Sequence, residues 1–108
     1  MTRMWNLPPK KMCTQHLLGE HKELHQAVGT INAGKNLGKH IEMGQIEVHN
    51  IRKRHDEIMK EMLKRGFNHK SPLPKFKSFR AGYIDKEFNK KDLISRCKNC
   101  REMFKNEF

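Results

Sequence analysis

Apolar residues recur at helical spacing in three stretches of the chain, separated by irregular segments, and this pattern predicts an all-α protein. The first stretch opens at Pro8-Pro9, where proline suits an opening turn, and runs through KKMCTQHLLGEHKELHQAV with Met12, Leu17, Leu24 and Val28 along one side. It is expected to stop between Gly29 and Gly34. The segment AGKNLGKHIEMG, with its three glycines and little periodicity, reads as a mobile basic loop. The second helix carries Val48, Ile51, Ile58, Met59, Met62 and Leu63 in register, with His55 among them, and Gly66 supplies a stop after Lys64-Arg65. The following run, FNHKSPLPKFKSFRAGYIDKEFN, is too rich in proline and glycine for a long helix and long for a connection, the kind of segment that often carries function. A last helix is predicted with Asn89 as its cap, Asp92 in its first turn, and Leu93, Cys97, Cys100 and Phe104 forming one stripe. The expected fold is a compact single domain over residues 1–108, with about three main helices and long irregular connections.

Composition narrows the class. A chain of 108 residues with 35% hydrophobic positions has room for one modest core, and a mean hydropathy of -0.92 makes that core thin. Lysine and arginine number 23 against 12 acidic residues, giving a formal charge of +11, so polyanions and above all nucleic acids are the expected partners. No apolar run approaches the roughly 20 residues of a membrane helix, and the N-terminus lacks the apolar core of a secretory signal, so an intracellular, membrane-free protein is expected. Three cysteines do not make an even disulfide framework and read as reduced thiols. Cys97 and Cys100 form a CxxC, yet zinc usually takes a second pair, and Cys13 with seven scattered histidines shows no clean partner spacing. His21 and His25 stand four apart, but HKELH is not HExxH and reads as two exposed histidines on a basic face. Neither a metal nor a cofactor is therefore expected.

The candidate chemistry begins at Met1-Thr2-Arg3. A small second residue is the condition under which an initiator methionine is removed, which would expose the Thr2 α-amine. Such an amine titrates near 7.7–8.0 against about 10.4 for lysine, so roughly a tenth is neutral and nucleophilic at pH 7. The first helix supplies context, because His16, Gly19, Glu20, Glu23, Gln26 and Ala27 lie near one face. Gly19 leaves a notch one turn before Glu23, at a cost of roughly 1 kcal/mol in helix propensity. From pattern alone Glu20 and Glu23 read first as a solvated acidic pair balancing Lys22 and Lys10-Lys11. Arg52-Lys53-Arg54 and Lys64-Arg65 are candidates for phosphate contact or a solvated basic face. Trp5 is expected as a core or hinge anchor, His55 as a core histidine, and His69 as an outside candidate for the site.

The strings MTR at the start, QHLLGEHKEL over 15–24 and IRKRHDEIMKEMLKRGFN over 51–68 resemble the pyrimidine-dimer DNA glycosylase family. From Met1 to Glu23 the correspondence runs without a gap, so Thr2, Arg3, Gln15, His16, Glu20, Lys22 and Glu23 fall on matching places. The resemblance implies a compact helical fold and an imine between the Thr2 amine and C1′ of the damaged nucleotide, followed by β-elimination of the 3′ phosphate. Glu23 would assist the proton transfers, while Arg3, Lys22 and His16 would hold phosphates. The implied partner is double-stranded DNA carrying pyrimidine dimers or abasic sites, bound by a monomer. Gln26 departs from the family, which has a basic residue on DNA there, and the ending ISRCKNCREMFKNEF lacks the family's aromatic tail. A non-catalytic basic DNA-binding module is the alternative.

Overall fold

The computed structural model describes residues 4–68 and 72–105, and all of their regular structure is helical. The elements are α1 (Thr14–Asn32), α2 (Gly38–Glu42), α3 (Ile51–Lys64), α4 (Lys86–Arg96) and α5 (Lys98–Lys105), with 3-10 turns at Pro9–Lys11 and Val48–Asn50. The all-α expectation holds, although the last predicted helix is two.

α1 and α3 pair antiparallel and build the main core. Leu17, Leu24, Ala27 and Val28 face Ile51, Ile58 and Met62, each pair of turns meeting through residues three and four apart. Burial of a side chain of leucine size stabilises by about 1.5–3 kcal/mol, so this seam outweighs the weak helix propensity of the threonine, glycine and histidine positions in α1. α3 ends as its sequence predicts: Gly66 takes φ 89°, its N–H bonds the Leu63 carbonyl, and the Phe67 N–H reaches back to Met62.

The N-terminal segment is a wedge between two hydrophobic clusters. Met4 is fully buried in the α1–α3 core, while Trp5 packs with Leu7, Met12, Cys13, Leu93, Cys100 and Phe104 in a second cluster. Adjacent side chains of an extended strand of chain point opposite ways, which lets two neighbours serve two cores. The Met4 N–H donates to the Gln45 carbonyl at 2.7 Å, and Asn89 Nδ2 donates to the carbonyls of Met4 and Trp5 at 3.3 and 3.0 Å.

Three expectations are corrected. The first helix does not run on from Pro8-Pro9, because Met12 and Cys13 are extended and α1 starts only at Thr14. Its other end falls where expected, at Asn32 between Gly29 and Gly34, and Gly34, at φ 73°, turns the chain out. The glycine-rich segment is no bare loop: it forms α2, which lays Leu37 and Ile41 on the core. Asn89 is buried and ties down the N-terminal backbone; the cap of α4 is Asp85, whose carboxylate accepts from the Phe88 N–H at 3.0 Å.

The irregular connection before α4 is real, and it is anchored. Leu73, Phe76, Ala81 and Ile84 pack on the main core, and Glu47 Oε2 accepts the Ile84 N–H at 2.8 Å. Gly82, at φ 93°, passes so close to the Ile46 carbonyl that any Cβ would collide with it.

Candidate functional site

α1 presents one polar stripe to solvent. Gln15, Gly19, Lys22 and Gln26, at intervals of four, three and four, are all exposed, and Glu23 lies half-buried between Gly19 and Gln26. A Cβ placed on Gly19 would have nothing within 4 Å, so no internal packing demands glycine there. The notch opens to the outside, one turn before the Glu23 carboxylate. Met4, which precedes the stripe in sequence, is locked by its two backbone hydrogen bonds, to the Gln45 carbonyl and from the Asn89 side chain. Thr2 and Arg3, the proposed nucleophile and its neighbour, lie outside the described residues, as does His69.

Glu20 is not part of that stripe. Its side chain is buried and bound bidentately by Arg54, Nε to Oε2 at 2.5 Å and Nη2 to Oε1 at 2.8 Å, while Arg54 Nη1 donates to the Leu7 carbonyl at 2.5 Å. Two buried charges with every strong bond made form a tie between α1, α3 and the N-terminal segment, not a surface for phosphate. The reading of Glu20 and Glu23 as one solvated acidic pair is thereby corrected.

The basic candidates divide in the same way. Arg65 turns inward: Nε bonds Glu61 at 2.8 Å, Nη1 bonds Thr14 Oγ1 at 3.2 Å, and Nη2 bonds the carbonyls of Pro9 and Met12 at 3.1 and 2.7 Å. It clamps the entry to α1. Arg52 reaches across to the Pro74 carbonyl and lies over the Phe76 ring, holding the irregular connection. Lys22, Lys53 and Lys64 remain exposed and suited to phosphate.

His16 points somewhere the sequence reading did not foresee. Its Nδ1 is 3.2 Å from Cys13 Sγ and 3.7 Å from Cys100 Sγ, and Cys13 Sγ is 3.7 Å from Cys97 Sγ. All four ligand atoms lie within 4.8 Å of one another. Burial holds the His16 imidazole below its ordinary range and favours the neutral ring. Burial also pushes the Cys100 thiol up to about 12. At Cys97 burial pushes upward too, but hydrogen bonds from Cys100, Cys13 and the Asn99 backbone outweigh it and leave that thiol below its usual value. The signal was present in the sequence as Cys13-x-x-His16 answering Cys97-x-x-Cys100, a pairing visible only if histidine is allowed as the second member.

A further histidine group packs where α1 meets α3. The rings of His21, His25 and His55 have centroids 4.7–5.1 Å apart, and His55 is buried as its place in the apolar stripe predicts. His21 and His25 are half-buried against it, so the expectation of two exposed histidines is corrected. Trp5 is the core anchor anticipated, with its ring edge-on to His16 at 5.9 Å. A cleft of about 880 Å³ opens elsewhere, with Asn6, Pro9, Lys53, Glu57, Tyr83 and Lys90 in its walls; it includes none of Gln15, His16, Lys22, Glu23 or Gln26. Among the described residues no helix is long and apolar enough to cross a membrane.

This is a basic helical protein with a carboxylate set beside a glycine notch on an exposed face, a class of surface suited to a nucleic-acid backbone. Residues 2–75 match the family model described as pyrimidine dimer DNA glycosylase, and the chain belongs to that family. No curated protein and no solved structure matches it. Family membership makes DNA the substrate class and base excision the activity class.

Proposed function

We propose that this chain removes a base from ultraviolet-damaged DNA and then cleaves the strand, using the α-amine of Thr2 exposed once Met1 has been removed. The neutral amine attacks C1′ of the 5′ nucleotide of a pyrimidine dimer, the C1′–N bond to the base breaks, and an imine forms between Thr2 and the opened sugar. The imine acidifies the C2′ hydrogen; its loss to a base expels the 3′ phosphate, and water then releases the enzyme. Two activities share one covalent intermediate. Glu23 serves the proton transfers and stabilises the cationic sugar, a task for a carboxylate held near developing positive charge.

The observation that carries this reading is the α1 stripe, where Glu23 stands beside an open glycine notch on a helix face that the family match covers. Lys22, Gln15 and Gln26 share that face and would meet phosphates or sugars, with Arg3 and Lys64 extending the contact. Lysine at 22 grips phosphate as a point charge, without the planar fork of arginine. Glutamine at 26 adds no charge. Abasic-site cleavage therefore rests on the amine and Glu23, and dimer recognition rests on the family.

Borohydride reduction tests the proposal directly. Protein with a mass-verified Thr2 terminus, mixed with duplexes holding a cyclobutane dimer or an abasic site, should yield a covalent adduct that Glu23→Gln reduces and an N-terminal extension abolishes. Salt-sensitive DNA binding with no adduct on either duplex would leave only a non-catalytic DNA-binding module.

A further inference from the structure

We propose that Cys13, His16, Cys97 and Cys100 bind one zinc ion in a closed four-ligand centre that fastens the C-terminal helix pair to the start of α1.

The geometry is that of a tetrahedron before its metal. With Zn–S near 2.3 Å and Zn–N near 2.0–2.1 Å, a tetrahedral centre has S···S edges of about 3.8 Å and S···N edges of about 3.6 Å. The Cys13–Cys97 sulfurs stand 3.7 Å apart, and His16 Nδ1 lies 3.2 and 3.7 Å from the sulfurs of Cys13 and Cys100. A disulfide fits poorly, since its sulfurs bond at about 2.05 Å and it would leave two of the four groups unused.

The site is built twice from one local unit. Cys13 is the extended residue before α1 and His16 lies in that helix's first turn; Cys97 is the extended residue before α5 and Cys100 lies in its first turn. Each unit opens its helix with the same bond, Leu17 N–H to the Cys13 carbonyl and Arg101 N–H to the Cys97 carbonyl. Backbone amides aim at the sulfurs, Cys100 N–H to Cys97 Sγ at 3.4 Å and Cys13 N–H to Cys100 Sγ at 3.3 Å, which stabilises thiolates. The two departures from helical continuity at 12–13 and at 97 therefore have one cause: each break turns a ligand toward the other pair.

The chemistry balances simply. Three S–H bonds are exchanged for three Zn–S bonds, three protons leave to solvent, and His16 coordinates as neutral imidazole. The centre then carries a net charge of -1 within a chain of formal charge +11. Coordination at Nδ1 fixes the His16 proton on Nε2, the nitrogen left for a phosphate contact. Four protein ligands close the coordination sphere, so the ion is structural and not a Lewis acid for the reaction. Its service is to the second cluster, where seven buried residues must hold helices that lie beyond the family match.

Elemental analysis of the full chain, expressed with zinc and purified without metal-affinity steps, should find one zinc per chain. The metal-free protein titrated with cobalt(II) should show the strong visible bands of tetrahedral cobalt and thiolate charge transfer in the near ultraviolet, with release of three protons. Cys97→Ser should lose the ion. Should that variant fail to fold, His16→Cys keeps the test alive: it should retain the metal, with charge transfer larger by about one third as three thiolates become four. A chain that purifies folded without metal, melts unchanged in chelator and gives no cobalt spectrum overturns the proposal, and so does a Cys13–Cys97 disulfide in the freshly purified protein. None of these readouts depends on catalysis.

Discussion

Glu20 and Arg54, thirty-four positions apart, meet in the interior as a bidentate pair with side chains essentially closed to solvent. Arg54 also donates to the Leu7 carbonyl and to Met12 Sδ at 3.2 Å, with Glu57 Oε1 3.9 Å from its Nη1, so one guanidinium joins α1, α3 and the N-terminal segment. Removing one partner strands the other as a buried charge. Glu20→Gln is expected to lower stability by about 3–5 kcal/mol, whereas a double replacement by apolar residues of similar size should recover most of the loss. Urea unfolding of both variants checks this; a cost below about 0.5 kcal/mol for Glu20→Gln would return Glu20 to the surface.

Arg65 and Lys64 are neighbours with opposite duties. Arg65→Ala breaks bonds to Glu61, Thr14, Pro9 and Met12 and should cost about 2–3 kcal/mol of stability, with DNA affinity falling only as the fold loosens. Lys64→Ala should leave stability within about 0.5 kcal/mol and flatten the salt dependence of DNA binding by roughly one phosphate contact. Thermal melts beside a salt titration of binding separate the two; an unchanged salt slope would remove Lys64 from the interface.

Gly19 separates stability from function. Alanine there enters open space, so Gly19→Ala should stabilise the protein by about 0.5–1 kcal/mol through helix propensity alone. The same methyl fills the notch before Glu23 and is expected to slow strand cleavage. A variant that is both more stable and fully active would show that DNA does not approach through this gap.

Gly82 is the contrasting glycine. It combines φ 93° with a backbone approach to Ile46 that leaves no room for a Cβ. Gly82→Ala should therefore destabilise by more than about 1 kcal/mol and loosen the connection between α3 and α4. Amide exchange at Val48, whose N–H bonds the Ala81 carbonyl at 2.9 Å, would report the loosening. Unchanged exchange and melting would mean that the connection shifts at no cost.

Glu23→Gln tests the chemistry against the fold. Glutamine keeps the size and hydrogen-bonding capacity of the half-buried Glu23 side chain, so the fold is expected to hold while β-elimination at an abasic site falls steeply. Circular dichroism with a nicking assay distinguishes this from a structural role, for which both measures would fall together.

Periodicity alone determined that the chain is helical, that α3 carries His55 inward and ends at Gly66, and that Gly19, Glu23 and Gln26 share a face of α1. These are properties of a residue's position on its own helix, and 3.6 residues per turn settles them locally. Only the tertiary structure decided which charges leave water. Glu20 lies between that face and the apolar seam, and its fate depends on an arginine arriving from α3; Arg65 turns inward because the carbonyls of Pro9 and Met12 at the entry to α1 lie within its reach. The same holds for the thiols. Cys13 and His16 meet Cys97 and Cys100 only after more than eighty residues of chain have folded back, and the helix breaks at 12–13 and 97 that local propensity does not announce are the price of that meeting.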